Sequence, residues 1–320
     1  MKNSKGEIDL ESMAALEKLL LQFPGGLNAI SDLSERRTAL NSITKKLTDL
    51  EYSDVEVIDF TVPSGDEHQI IPLRLYRLKS KSEMTPAPCL IYVHGGGMIM
   101  GNLETGNLNC LNFVRKFKLT VISIEYRKAP EFPYPSAIQD CLDAITWVIN
   151  SSGSLGIDLS NLGIYGSSAG GGLVLGTVLK LRDQGRDVFK YMMPIYPMID
   201  DSNTSSSSQE IIDIGVWDRK ANVEAWGWYL SGKGADGYAA PIRSKNLTNL
   251  PQCYSDVGEF DLFRDENSSF FTRLENSGVS TEFKIFPGAF HGSENLAPES
   301  GLSKEIWKSR FEAIERFIQD

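Results

Sequence analysis

Ser168 occupies the centre of a Gly-x-Ser-x-Gly pattern at residues 166–170. An apolar run at 162–165 precedes the pattern, and a helix-like run at 171–182 follows it. A strand, a sharp turn and a helix are the context in which a serine hydroxyl is exposed as a nucleophile. The glycines suit such a turn because the strand and the helix approach closely and side chains would clash. The alternative is a glycine- and serine-rich turn without chemistry, which the strand–helix context disfavours.

A His-Gly-Gly-Gly motif at residues 94–97 follows another apolar run. Consecutive glycines leave backbone N–H groups unshielded, so that they can converge on an anion forming at a substrate carbonyl. We assign these donors to Gly96 and Gly97, with Ala169 as a third at the start of a helix, where N–H groups lack partners. The alternatives are tight packing or a phosphate cradle. Nucleotide binding is disfavoured because position 100 is Met, which breaks Gly-x-Gly-x-x-Gly, and because no P-loop pattern occurs.

The chain has only three histidines that could serve as the general base for this serine. His68 lies in a polar turn between two predicted edge strands, and His94 belongs to the glycine loop. His291 follows the apolar run 283–286 and therefore lies in a loop at the carboxyl edge of a sheet, as Ser168 does. Sites in open α/β sheets form at that edge. Elimination and placement favour His291 over its interpretation as a solvated surface histidine.

The acid that orients this base should also follow a strand. The apolar run 253–257 leads into a segment with four carboxylates, Glu259, Asp261, Asp265 and Glu266. The pattern alone does not choose among them. Asp265 and Glu266 resemble residues of a first helical turn. We select Asp261 because it lies in the loop proper.

These groups need one sheet to position them, and the sequence after residue 86 predicts it. Six short, continuous apolar runs are spaced along this region, at 89–93, 119–124, 162–165, 191–196, 253–257 and 283–286. Continuous apolar strands are expected where helices cover both faces of a parallel sheet. Candidate helices lie between them at 137–150, 171–182 and 264–276. The alternation predicts a mostly parallel, doubly wound α/β sheet.

Two further regions flank the predicted sheet. Residues 1–50 contain two amphipathic patterns, the second beginning with a capping-box-like pair, Asp32 and Glu35. Alternating apolar residues between 55 and 75, interrupted by turn residues 63–66, predict antiparallel strands near a sheet edge. The Ser-rich and then aromatic segment 201–233 is interpreted as an insertion over the carboxyl edge.

The tryptophans of the insertion, Trp217, Trp226 and Trp228, could form the wall of an acyl pocket together with the N-terminal helices. Ordinary packing of an aromatic helix is the alternative. A cleft capped in this way would favour short or medium acyl chains.

The composition restricts the classes of partner. The 320 residues are 41% hydrophobic and 23% charged, with a formal net charge of −10, which argues against disorder and against nonspecific binding to nucleic acid or anionic membranes. No apolar stretch of about 18 residues is present, and no signal-peptide core follows the first residues. We therefore expect a cytoplasmic protein without a membrane span. For a homodimer, the candidate contact elements are an edge strand and a C-terminal helix around 306–318.

From residue 86 onward the chain resembles the hormone-sensitive-lipase-like carboxylesterases of the α/β-hydrolase superfamily. Several separated motifs carry the resemblance in the right order: 94–97 with Gly101, the Tyr-Arg-Lys-Ala-Pro-Glu-Phe-Pro-Tyr-Pro segment 126–135, 166–171, 261–266 and 290–292. The order serine, acid, histidine is also that of α/β-hydrolases.

The resemblance implies a role for each of the selected groups. Ser168 would be the nucleophile, Asp261 the acid and His291 the base, with the glycine loop as oxyanion hole. Residues 1–50 would be cap helices, 51–320 the catalytic domain and 201–233 a cap insertion. The sequence departs from the family pattern at Ser167, where an acidic residue is common, and at 262 and 263, where Pro and Leu are common. None of these positions supplies a reacting atom.

We therefore expect a serine carboxylesterase that hydrolyses short- to medium-chain esters through an acyl-enzyme. Neither a metal nor an organic cofactor is expected, since the sequence contains no His-Glu-x-x-His pattern. Two alternatives stay open. One is amidase or formamidase chemistry on the same three side chains, and the other is a non-catalytic small-molecule binding protein on a hydrolase scaffold.

Overall fold

The computed structural model describes residues 2–3, 6–48, 53–66, 69–79 and 86–319. The strands are β1 (Lys2–Asn3), β2 (Gly6–Glu7), β3 (Val55–Pro63), β4 (Ile70–Leu78), β5 (Ala87–Val93), β6 (Thr120–Ile124), β7 (Ile157–Ser167), β8 (Tyr191–Ile195), β9 (Gln252–Phe260) and β10 (Thr281–Phe290). The α-helices are α1 (Leu10–Gln22), α2 (Leu33–Thr48), α3 (Asn107–Phe117), α4 (Ser136–Leu155), α5 (Ala169–Asp183), α6 (Ser206–Glu210), α7 (Arg219–Leu230), α8 (Arg264–Asn276), α9 (Ser293–Leu296) and α10 (Gly301–Gln319). Short 3₁₀ turns lie at Leu27–Ala29 and Pro241–Arg243.

Eight of the described strands form one sheet in the order β10-β9-β8-β7-β5-β6-β4-β3. Strand β4 pairs antiparallel with β3 and β6, and the other pairs are parallel. The six apolar runs are the strands β5 to β10, and the alternating segments form the antiparallel edge. The prediction of a mostly parallel α/β sheet is confirmed.

Helices cover both faces of this sheet. In β5, Cys89 and Ile91 belong to the core that the strands share with α4, α5 and α8, whereas Leu90 and Tyr92 belong to the core shared with α3 and α10. Successive side chains of a strand point to opposite faces. Both faces are therefore apolar, which explains why these strands read as continuous hydrophobic runs.

The register of the parallel strands brings their carboxyl ends to one edge. Val93 of β5 pairs with Gly166 of β7, and Phe260 of β9 pairs with Phe290 of β10. The segments that follow these residues are the glycine loop, the Ser168 turn, the acidic loop and the His291 loop. All four emerge together, as the sequence predicts.

The two amphipathic patterns of the N-terminal region are the helices α1 and α2. Oδ1 of Asp32 accepts the N–H of Glu35 at 2.9 Å, as a helix N-cap does. The segment 201–233, which the sequence analysis interprets as an insertion, contains α6 and α7. Asp218 caps α7 by accepting the N–H of Ala221 at 3.2 Å. Within the described ranges, no helix combines the length and the apolar character needed to cross a bilayer.

Candidate active site

The turn that carries Ser168 is strained, and the flanking glycines make it possible. Ser168 lies between β7 and α5 with a φ of 58°. This positive-φ backbone conformation is energetically unfavourable for residues that have a side chain. A Cβ at Gly166 would lie 2.4 Å from the carbonyl oxygen of Gly170, and one at Gly170 would lie 2.1 Å from that of Val93. The close approach of helix and strand therefore excludes side chains at both glycines. The Ser168 N–H donates to the carbonyl of Ile195 at 2.9 Å.

Three side chains from distant parts of the sequence form one hydrogen-bonded chain. Nε2 of His291 lies 3.0 Å from Oγ of Ser168, and Nδ1 of His291 lies 2.7 Å from Oδ2 of Asp261. The second carboxylate oxygen of Asp261 accepts the N–H of Phe263 at 2.9 Å, which fixes its orientation. Asp261 is fully buried, and Ser168 and His291 are each 7% exposed. With Nδ1–H donating to the carboxylate, Nε2 is free to accept the serine proton.

The other three carboxylates of the acidic loop have different partners. Oε2 of Glu259 accepts the N–H of Gly288 at 3.0 Å. Asp265 forms an ion pair with Arg264 at 2.7 Å. Glu266 is buried in the first turn of α8, and burial raises the pKa of its carboxyl well above the usual range. Among these four, only the Asp261 carboxylate lies against the imidazole of His291.

The remaining histidines lie apart from this arrangement. The ring of His94 is completely buried and stacks on Tyr126 with 4.3 Å between centroids, and its Nδ1 donates to the carbonyl of Gly95 at 2.7 Å. Burial lowers the pKa of His94 to about 4, so the ring is neutral at pH 7. His68 lies outside the described residues.

Two aromatic side chains that the sequence analysis did not select hold the ring of His291. Tyr196, just after β8, contacts it edge-to-face with 4.8 Å between centroids, and Phe263 does so at 5.3 Å. Such edge-to-face contacts are favourable ring geometries. The position of Tyr196 at the end of a predicted strand was the available signal for its proximity to the site.

The glycine loop has a backbone that requires glycine. Gly96 and Gly97 have φ values of 121° and 63°. The carbonyl of Gly96 accepts the N–H of Met100 at 2.8 Å, which closes the turn. Among the described backbone contacts outside helices and strands, the N–H groups of Gly96 and Gly97 donate to no carbonyl. Ala169 is the first residue of α5, where N–H groups have no intrahelical acceptor. Gly96 and Gly97 line the same cleft as Ser168, so their donors are available to a ligand there.

A cleft of about 890 Å³ contains Ser168 and His291. One side of it is apolar and is built from the N-terminal helices and the insertion: Leu19, Leu27, Leu40, Ile43, Val216 and Trp217. The other side combines amide, cationic and aromatic groups of α3 and α10: Asn109, Asn112, Lys116, Trp307 and Phe311. A mainly apolar cleft with a few polar groups suits a small organic ligand.

Of the three tryptophans considered for the pocket wall, Trp217 lies in the wall and contacts the glycine loop. A Cβ at Gly97 would lie 2.2 Å from its ring, and its Nε1 donates to Oδ1 of Asn222 at 3.1 Å. Trp226 and Trp228, on α7, are not among the residues that line the cleft. Trp226 is buried next to Tyr229, and Trp228 lies beside the guanidinium of Arg36. Their positions match the packing alternative.

An arginine of α2 connects the N-terminal region to the backbone just after the glycine loop and to the 126–135 segment. Nε of Arg37 donates to the carbonyl of Ile99 at 2.7 Å, and Nη2 donates to that of Ala129 at 2.9 Å. The guanidinium also pairs with both carboxylate oxygens of Glu131, at 2.7 and 2.8 Å. This ion pair lowers the pKa of Glu131 to about 2. Arg37 was not identified from the sequence, because nothing in a helix pattern indicates which surface arginine has a distant partner.

Comparisons with known proteins agree with this architecture. A family model described as the alpha/beta hydrolase fold matches residues 90–295. The chain is 29% identical to esterase LipI of Mycobacterium tuberculosis, over 87% of this chain and 88% of the relative. It is 32% identical to an arylesterase of Saccharolobus solfataricus, over 74% and 80% of the two chains. The solved structure of a bacterial heroin esterase is similar, with a TM-score of 0.91 and 31% identity over 98% of both chains. The chain therefore belongs to the α/β-hydrolase fold family, in its hormone-sensitive-lipase-like branch.

Proposed function

We propose that this protein is a serine carboxylesterase that hydrolyses short- to medium-chain esters through an acyl-enzyme. The observation that carries the proposal is the chain of contacts from Ser168 to His291 at 3.0 Å and from His291 to Asp261 at 2.7 Å. The names of the relatives, esterase and arylesterase, support ester bonds as the substrate class.

The proposed reaction has two halves. Nε2 of His291 accepts the proton of the Ser168 hydroxyl while Oγ attacks the ester carbonyl. The N–H groups of the glycine loop and of Ala169 bind the oxyanion, and the Asp261 carboxylate stabilises the imidazolium. His291 then donates its proton to the alkoxy oxygen as the carbon–oxygen bond breaks and the alcohol leaves. Water, deprotonated by His291, attacks the acyl-enzyme and releases the carboxylic acid.

We further propose that residues 1–50 and 201–233 form a cap over the remainder of the 51–320 catalytic domain. Both regions supply the apolar side of the cleft. Nη1 of Arg36 in α2 pairs with Glu224 in α7 at 2.7 Å, which ties the two regions together. The apolar wall near Ser168, in a cleft of about 890 Å³, suits the hydrocarbon part of a short- or medium-chain acyl group.

A panel of p-nitrophenyl esters, from acetate to decanoate, tests the proposal on wild type, Ser168→Ala and Asp261→Asn. We expect no turnover above background for Ser168→Ala. For Asp261→Asn we expect kcat to fall by about 10³–10⁴, because the tautomer of His291 is no longer fixed. Glu259→Gln is the matched control, because this neighbouring carboxylate lies on the Gly288 N–H rather than on the imidazole, and it should retain wild-type kcat.

Labelling with a fluorophosphonate gives a second measurement of the nucleophile. One label per chain, lost in Ser168→Ala, supports the proposal. Turnover of the esters by Ser168→Ala at the wild-type rate would refute it. Matched nitroanilides distinguish amidase chemistry, because faster cleavage of the anilide than of the ester would reverse the proposed substrate class. Absence of labelling in folded wild type would favour a binding protein instead.

A further inference from the structure

A buried network of charged and phenolic groups lies next to His291, and the reaction steps above make no use of it. Its members are Tyr196, which follows β8, Asp256 of β9, Glu294 of α9 and Arg310 of α10. None of the four is more than 4% exposed. The network therefore joins four separate elements within the protein interior.

The members of the network are joined by hydrogen bonds of 2.6–2.9 Å. Oε1 of Glu294 accepts the hydroxyl of Tyr196 at 2.6 Å and Nη1 of Arg310 at 2.9 Å. The same guanidinium donates Nε and Nη2 to the two carboxylate oxygens of Asp256, at 2.8 and 2.7 Å. The N–H of Tyr196 donates to the carbonyl of Asp256 at 2.7 Å, which closes a ring.

This closed set of hydrogen bonds supports His291 in two ways, through the backbone of its loop and through its imidazole. Glu294 follows His291 by three residues and lies in α9, which begins directly after the left-handed Gly292, with a φ of 70°. The loop that carries the imidazole is thus anchored to α10 through Glu294 and Arg310. The ring of Tyr196, whose hydroxyl is fixed by Glu294, packs edge-to-face on the imidazole.

The buried charges make this network sensitive to the loss of any one of its charged members. Burial opposes ionisation of Glu294, but the charge of Arg310 and the Tyr196 hydrogen bond hold its pKa below the usual range. Burial raises the pKa of Asp256, which shares the same guanidinium. The other titratable groups around Arg310 and Asp256 include the phenols of Tyr92, Tyr165 and Tyr254. Removing one charge from such a network leaves its partner buried without compensation.

We propose that Glu294, held by Arg310, is a positioning residue that keeps the imidazole of His291 aligned between Ser168 and the leaving oxygen of the ester. The inference rests on the proposed function, because it concerns the proton that His291 gives to the departing alcohol. A misaligned imidazole affects proton transfer most where the leaving group needs the proton. An alkoxide is such a leaving group, whereas nitrophenoxide departs readily without protonation.

The test compares ethyl acetate with p-nitrophenyl acetate, which share one acyl group, in wild type, Glu294→Gln and Tyr196→Phe. The measured quantity is kcat/KM, which reports the steps up to acylation and the release of the alcohol. We expect kcat/KM for ethyl acetate to fall by about 10–100-fold in Glu294→Gln, since a small misplacement of a catalytic group has effects of this size. The value for p-nitrophenyl acetate should fall at least several-fold less.

Glu305→Gln is the matched control, because this glutamate lies on α10 with an exposed side chain. It should leave both substrates unchanged. Tyr196→Phe keeps the aromatic ring against His291 but removes the hydrogen bond to Glu294. It should therefore show the same selective loss of kcat/KM for ethyl acetate, in weaker form. This variant decides the question if Glu294→Gln does not fold. Equal losses for the two acetates in folded variants, or no loss, would overturn the inference. Absence of Ser168 labelling in wild type would instead refute the proposed function.

Discussion

A methyl group at position 97 tests the glycine loop and its tryptophan wall together. In Gly97→Ala the new Cβ would meet the ring of Trp217 at 2.2 Å from Cη2 and 2.8 Å from Cζ2. The ring cannot retreat easily, because its Nε1 is bonded to the fully buried Asn222. The backbone conformation, with a φ of 63°, is also unfavourable for alanine.

Both effects have known sizes. Alanine in the left-handed region costs about 1–2 kcal/mol, and overpacking a buried site costs about 1–3 kcal/mol. We therefore expect the free energy of unfolding to fall by about 2–5 kcal/mol. If the loop shifts to relieve the contact, one oxyanion donor is lost, which raises the barrier by about 3 kcal/mol and lowers kcat about 100-fold.

Urea denaturation and p-nitrophenyl acetate kinetics measure the two effects in wild type, Gly97→Ala, Trp217→Leu and the double variant. The smaller leucine removes the collision but not the backbone strain. The double variant should therefore regain the overpacking part of the stability and return to within about 10-fold of the kcat of Trp217→Leu.

Two outcomes would contradict this reasoning. Wild-type kcat together with wild-type stability in Gly97→Ala would show that a methyl group at this position neither strains nor shifts the loop. A double variant as impaired as Gly97→Ala alone would show that contact with Trp217 is not the cause.

Two further predictions concern the surroundings of the same loop. The lysine of Arg37→Lys cannot keep both the two-oxygen contact with Glu131 and the two bonds to the carbonyls of Ile99 and Ala129. We therefore expect the free energy of unfolding to fall by about 1–2 kcal/mol. We also expect kcat to fall several-fold. Arg115→Lys, whose surface pair with Asp54 is remote from the loop, should change stability by less than about 0.5 kcal/mol in the same denaturation assay; equal losses in both variants would contradict a role for Arg37. The buried ring of His94 has a pKa of about 4, whereas in the unfolded chain the pKa is about 6.5. The unfolded chain therefore binds the proton more readily. The contribution of His94 to stability is present above pH of about 6.5 and is lost as pH falls towards 4. Between pH 7 and pH 5 wild type should lose about 2 kcal/mol more than His94→Gln by chemical denaturation, and parallel pH profiles for the two proteins would show that this histidine does not contribute.

Much of the fold was predictable because its cause is local. The predicted helix 264–276 coincides with α8, and the predicted strand 89–93 lies within β5. Burial on both faces produces continuous apolar runs whatever the details of packing. The turn at Ser168 was predictable from its local pattern of an apolar run, glycines and a helix. Of its two flanking glycines, however, only Gly166 is required by contacts within the strand–turn–helix unit, because a side chain at Gly170 would collide with Val93 of β5.

The choice among the four carboxylates of the acidic loop was not settled by pattern. Glu259, Asp261, Asp265 and Glu266 lie within eight positions, and each is compatible with a loop that enters a helix. The direction of each side chain depends on the local backbone of that loop and on the register between β9 and β10, which sets Phe260 opposite Phe290. The resemblance to a known family favoured Asp261, and the distance of 2.7 Å to the imidazole agrees with it.

The amino-acid sequence by itself determined the strand–helix alternation, the strained serine turn, the glycine loop and the histidine at the same edge, because each depends on residues adjacent along the chain. Only the tertiary structure decided which tryptophan reaches the cleft, which arginine fastens the N-terminal helices, and that Glu294 and Arg310 stand behind His291. Those contacts join residues far apart in the sequence. Which residues meet in these contacts depends on how the helices pack on the two faces of the sheet and on the cost of burying a charge without a counter-charge. Neither factor leaves a pattern in a short stretch of sequence.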